Sequence, residues 1–131
     1  MVDKNSKPGL LGVGLDNFLY AYRTRYVLPT AWEEFSLSHP HNVFLDYAVR
    51  LGLPGLCAFI WTQVVFWRRL LQQRRRTTPA GRALAIGLAG SMADFLAHGL
   101  VDASYFIIDL AFVYMLSLAL ASWLDGGAFD N

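Results

Sequence analysis

The chain is poor in the residues that build a soluble, cross-linked or metal-bound domain. A single cysteine, Cys57, among 131 residues excludes a disulfide framework and a cysteine-based metal site, and it falls within an apolar run. Charge is scarce, with 16% of residues charged against 55% hydrophobic, and a net charge of +1 points to no class of charged partner. That balance is too apolar for an ordinary soluble domain of this length and indicates the membrane class. Residues 1–40 carry no export signal, because the first eight are polar and no apolar run of useful length follows. Acids are missing from residues 68–82, a stretch that holds six arginines.

What the chain does have is three apolar stretches, at 51–67, 83–101 and 103–124. Each is near the length needed to cross a hydrocarbon core of about 30 Å. The expected fold is all-α and integral to a membrane, with a loop segment over 1–42 and a transmembrane helical region over 43–131. By the positive-inside rule the arginine-rich loop 68–82 is cytoplasmic, so residues 1–42, one helix away, are extracytoplasmic. An outer segment without an export signal implies a fragment, the carboxy-terminal piece of a longer polytopic protein. Its partners would then be missing upstream helices or an oligomer.

Along the chain, Gly12-Val13-Gly14 reads as a tight turn in which glycine supplies positive φ. The full dinucleotide-binding spacing is absent, so it is no phosphate cradle. Residues 16–29 mix Phe18, Tyr20, Tyr22 and Tyr26 with Arg23 and Arg25, a composition suited to the lipid headgroup layer. The basic charge is too sparse for nucleic acid. After a turn-rich connection over 29–40, Asn42 begins a helix with Val43, Phe44, Tyr47, Ala48 and Leu51 on one side. Asp46 and Arg50, four apart, pair on the other. Gly52, Pro54 and Gly55 interrupt that helix near its outer end, and Pro54, lacking a donor, is expected to kink it.

The second span carries Ser91, Asp94, His98, Asp102 and Tyr105 at spacings of three or four, which places them on one helical stripe. Ionisable groups are costly in a bilayer, so the stripe faces protein or water. Two readings stand: hydrogen-bonding glue between helices, or a polar wall rising to the outer surface with Asp102 at its top. Asp109 on the third span is read in the same way. Ala83, Gly87, Gly90, Ala93 and Ala97 are expected to pack closely against neighbouring helices. His39, His41 and Asp46 can be drawn as a metal site, but Pro40 holds the stretch extended and further ligands are lacking, so neither metal nor cofactor is expected.

The pattern His41-Asn42-x9-Gly52-x2-Gly55 resembles the signature of the O-antigen ligase and polymerase group of bacterial polytopic membrane glycosyltransferases. It matches the ligase signature at every specified position. The Gly12-Val13-Gly14 turn upstream, the two downstream spans and a helix-ending aspartate at Asp102 add to the likeness. It covers most of this chain, from about Gly9 to Leu124, yet only the last quarter to third of a typical member.

The resemblance implies a multi-pass protein of the bacterial inner membrane that moves glycan from an undecaprenyl-diphosphate carrier to an acceptor hydroxyl, lipid-borne or protein-borne. It implies His41 as general base, with Gly12, Gly14, Asn42, Gly52 and Gly55 as motif residues. Loop arginines hold the diphosphate in that family, and Arg23 and Arg25 are the loop candidates here. Asp102 can orient His41 or an arginine. Many relatives carry an acid shortly before the first motif glycine, where this chain has Arg50. Polymerisation and protein O-glycosylation are variants of the same chemistry. A small non-catalytic membrane assembly protein is the rival from another class.

Overall fold

A computed structural model describes residues 10–15, 17–25, 40–73, 78–102 and 108–125. They are all-α, in four helices: α1 (Phe18–Arg25), α2 (Val43–Gln73), α3 (Pro79–His98) and α4 (Ile108–Asp125). His39 in the connection before α2, Arg74 to Arg76 in the connection after it, the residue Tyr105, and the side chains of Arg25 and Asp109 lie outside the described residues.

Helices α2, α3 and α4 pack as a three-helix layer. Contacts set their directions: Thr62 and Gln63 of α2 meet Tyr114 of α4 while Arg69 meets Ser122, so α2 and α4 run parallel. The end of α3 returns to the start of α2, with Val43 N–H donating to the Gly99 carbonyl at 2.7 Å, so α3 is antiparallel to α2. One end of the layer therefore holds His41, Asn42 and Gly99 to Asp102. The other holds Arg68, Arg69 and Arg82.

Helices α2 and α3 have a local reason to start where they do. Asn42 caps α2, its Oδ1 accepting the amides of Phe44 at 3.0 Å and Leu45 at 3.1 Å. Thr78 caps α3, accepting from Gly81 N–H at 3.3 Å, with Pro79 in the first turn where its missing donor costs nothing. The arginine-bearing connection is thus shorter than the 68–82 read from composition, because α2 runs on to Gln73 and α3 begins at Pro79.

The core is a seam of Phe59, Phe66 and Leu70 from α2, Ala85, Leu88 and Met92 from α3, and Tyr114, Ala121 and Leu124 from α4. Tyr114 also meets the Phe95 ring at a tilt of 36°, with centroids 5.1 Å apart. Its hydroxyl lies 2.9 Å from Gln63 Nε2 and 3.0 Å from Thr62 Oγ1. Beside this apolar core, some polar groups are buried and many large apolar side chains are exposed. Asp46, Arg50, Gln63 and Ser117 are buried, while Trp61, Ile86, Phe112, Met115 and Leu116 point outward.

One helix among the described residues, Val43–Gln72, is long and apolar enough to cross a membrane. The apolar stretch of α4, Leu110–Leu124, is shorter. Among the described residues, the small residues expected to pack against neighbouring helices lie open. Ala83, Ala93 and Ala97 are exposed, and a Cβ placed on Gly87 or Gly90 meets nothing within 4 Å. The packed face of α3 is instead Gly81, Ala85, Leu88 and Met92.

Candidate functional site

The site is built at the end of the layer where α2 begins. Gly99 ends α3, its N–H donating to the Phe95 carbonyl at 2.9 Å. A side chain there would meet Val43 Cγ1 at 2.8 Å, so only glycine lets α3 approach α2 this closely. The approach gives the carbonyls of Gly99 and Leu100 to the α2 start: Gly99 accepts from Val43 N–H, and Leu100 accepts from Asn42 Nδ2 at 3.2 Å. Orphan donors of one helix thus satisfy orphan acceptors of another.

Asn42→Ala removes both the cap and the link to Leu100. The expected loss is about 1 kcal/mol for the cap alone. Chemical denaturation in detergent checks it, and an unchanged midpoint would contradict the arrangement.

Beyond Gly99 the chain turns, and Asp102 N–H donates to the His98 carbonyl at 2.9 Å. The turn carries the Asp102 carboxylate back to His41, with Oδ1 3.3 Å from His41 Nδ1. Both side chains are partly open to solvent, at 56% for His41 and 41% for Asp102. If Nδ1 carries the proton shared with the carboxylate, the imidazole lone pair lies on Nε2, which is the tautomer a base needs. Behind the pair a cleft of about 140 Å³ runs between α3 and α4. Ser91, Asp94, His98 and Asp102 line it on one side, with Tyr114 and Ser117 opposite.

The glycine motif acts one level below. α2 is broken at Gly52, whose φ of 71° and ψ of −166° are non-helical. The break sits at Gly52 rather than at Pro54, although Pro54, having no N–H, is one cause of it. An unbroken helix would send Leu53 N–H to the Val49 carbonyl and residue 54 to that of Arg50. Here Val49 accepts from Val13 N–H at 2.7 Å and Arg50 from Gly14 N–H at 3.0 Å, while Leu53 N–H donates to Leu10 at 2.9 Å. The segment 10–15 is therefore a clasp that substitutes its own backbone for the missing helical bonds.

Two glycines make the clasp possible. Gly12, at φ 76°, presses on the break, and a side chain there would lie 2.5 Å from Gly52 N and 2.7 Å from the Val49 carbonyl. Gly52 in turn lies against the backbone of Leu10 and Leu11. Gly14, at φ 93°, turns the chain toward α1, and Gly55 leaves room for the Leu51 side chain.

Arg50 locks this assembly. Its Nε donates to Asp46 Oδ1 at 2.7 Å and its Nη1 to the Leu15 carbonyl. The pair read as lying opposite the apolar side is buried, Asp46 completely. Arg23 lies half-buried on α1, just past the clasp. Among the described residues no group of three or more histidines, cysteines and acids gathers to hold a metal ion. Sequence reasoning missed Gly99, Tyr114 and Gln63. A glycine directly after the last helical residue was the available sign for Gly99.

The chain matches no family model, no curated protein and no solved structure.

Proposed function

We propose that this chain is the carboxy-terminal part of an O-antigen ligase-like glycosyltransferase of the bacterial inner membrane, with His41 as general base. The observation that carries the reading is the approach of His41 to Asp102 at the end of the layer remote from the arginines. The outward apolar faces and buried polar residues support a bilayer setting. Residues 53–73 span about 32 Å as helix, close to the hydrocarbon thickness of about 30 Å. The first turns of α2, with the clasp and His41, then lie at the outer headgroup layer. Three spans, an outer His41 segment and an inner arginine end complete the proposed topology. The open Gly87 and Gly90 face is where upstream helices or a second copy would pack.

In the proposed reaction the acceptor O–H gives its proton to His41 Nε2 as its oxygen attacks the anomeric carbon of the lipid-linked sugar. The new C–O bond forms as the bond to the diphosphate oxygen breaks, and the polyprenyl diphosphate leaves with the electron pair. Asp102 stabilises the imidazolium that results. Charge on the leaving diphosphate calls for guanidinium groups. Arg50 is committed to Asp46 and the clasp, so Arg23, Arg25 and arginines of preceding segments take that part. The same chemistry serves a ligase, a polymerase or a protein O-glycosylating enzyme.

The test is a chimera in which this chain replaces the carboxy-terminal portion of a ligase-like transferase. With undecaprenyl-diphosphate-linked glycan and an acceptor, it is expected to form the glycoside. A chimera that inserts correctly yet transfers nothing would contradict the proposal.

A further inference from the structure

Behind the His41–Asp102 pair, the cleft of about 140 Å³ between α3 and α4 has two unlike walls. Along α3 stand Ser91, Asp94 and His98, at spacings of three and four, so they cover about 10 Å of one helical face. Phe95, Leu110 and Val113 make an apolar wall beside them. We infer that this cleft is a carbohydrate subsite that seats the sugar ring of the acceptor, with Asp94 as the residue that selects it. That the ring is the acceptor's rests on the transferase reading above; that the cleft takes a ring does not.

The three polar side chains of α3 are exposed, and none of them makes a hydrogen bond among the described residues. What they offer is therefore open to a ligand. Tyr114 and Ser117 offer less, because the Tyr114 hydroxyl meets Gln63 and Thr62 and the Ser117 hydroxyl donates to the Val113 carbonyl at 2.8 Å. Ionised Asp94 only accepts, a neutral His98 donates from one ring nitrogen and accepts at the other, and Ser91 does both. A ligand that satisfies this set brings several hydroxyls on its edge and an apolar face for Phe95, Leu110 and Val113. A pyranose is built in that way, with hydroxyls around its rim and C–H groups on its faces. A lone ammonium would use Asp94 and leave the rest idle. A diphosphate would be repelled by the carboxylate, so the donor's leaving group does not sit here. A few placed polar groups against apolar walls are the make-up of a small-molecule site. The position fits as well: Asp102 lines the cleft and lies 3.3 Å from His41 Nδ1, so a ring in the cleft is one side chain away from the base. The acceptor is then a glycan rather than a protein hydroxyl.

The full chain is purified in a detergent without a sugar headgroup, and saturation-transfer NMR reads the methyl glycosides of glucose, galactose and mannose. At least one of them is expected to give a saturable signal in the millimolar range. Asp94→Asn should weaken that binding by about tenfold or more, the worth of one hydrogen bond to a charged group. Val113→Trp, which fills the cleft and leaves its polar groups in place, should abolish it. Inorganic diphosphate should not compete. No saturable signal from any of the glycosides overturns the site, as does a signal that survives either variant or is displaced by diphosphate. If the site fails in this way while the chimera transfers glycan, the transferase reading stands without it. If a glycoside binds as expected and the chimera is inactive, the cleft remains a carbohydrate site and its acceptor role falls.

Discussion

His41→Ala in the chimera is expected to lower glycosyl transfer by about 10²- to 10⁴-fold, the range a positioned general base contributes. The protein should remain folded and inserted. The start of α2 is held by other groups: Asn42 supplies the cap, Gly99 accepts from Val43 and Leu100 from Asn42, and the clasp of residues 10–15 braces the break. The contact to Asp102 is between partly exposed groups, and such pairs contribute about 0–1 kcal/mol. Transfer rates from a defined lipid-linked donor, beside circular dichroism and a denaturation curve, separate the two effects. A large loss of stability would move His41 from the chemistry to the scaffold.

Gly52→Ala should act in the opposite way, through the scaffold first. The φ and ψ of Gly52 fall where residues other than glycine are strained by about 1–3 kcal/mol. The new methyl would also meet the backbone of Leu10 and Leu11, which cannot give way as a flexible side chain does. The clasp must then detach, releasing the bonds from Val13, Gly14 and Leu53 and uncovering the Arg50–Asp46 pair. A total loss of 3 kcal/mol or more is the expected result. Denaturation in detergent reads it, and proteolysis should open the chain near residues 10–15. Wild-type stability in Gly52→Ala would mean that the clasp does not form.

Local features of this architecture were legible in the sequence because their causes are local. The cap at Asn42, the positive-φ glycines at 12 and 14, and the Asp46–Arg50 pair each depend on residues within a few positions. What was not legible depends on approach across the chain. Nothing near Gly12 announces that its partner is Gly52, forty residues on, so the sequence marks the interruption at Gly52, Pro54 and Gly55 without showing that the bent dihedral belongs to Gly52. Burial of Asp46 and Arg50 depends on that same approach. On α3 the side packed within the described residues is set by Leu88 and Met92 meeting α2 and α4, a choice that the small residues of the same helix do not reveal. Spacing put Asp102 on the stripe of α3, but only the turn after Gly99 carries it to His41.

The central claim is that His41 and Asp102 act as one unit in transfer. A double-mutant cycle in the chimera, comparing His41→Ala, Asp102→Ala and the pair, measures that coupling directly. Each single change should slow transfer, and adding Asp102→Ala to His41→Ala should slow it by less than about twofold. Single losses that multiply in the double variant would show two independent residues and contradict the account.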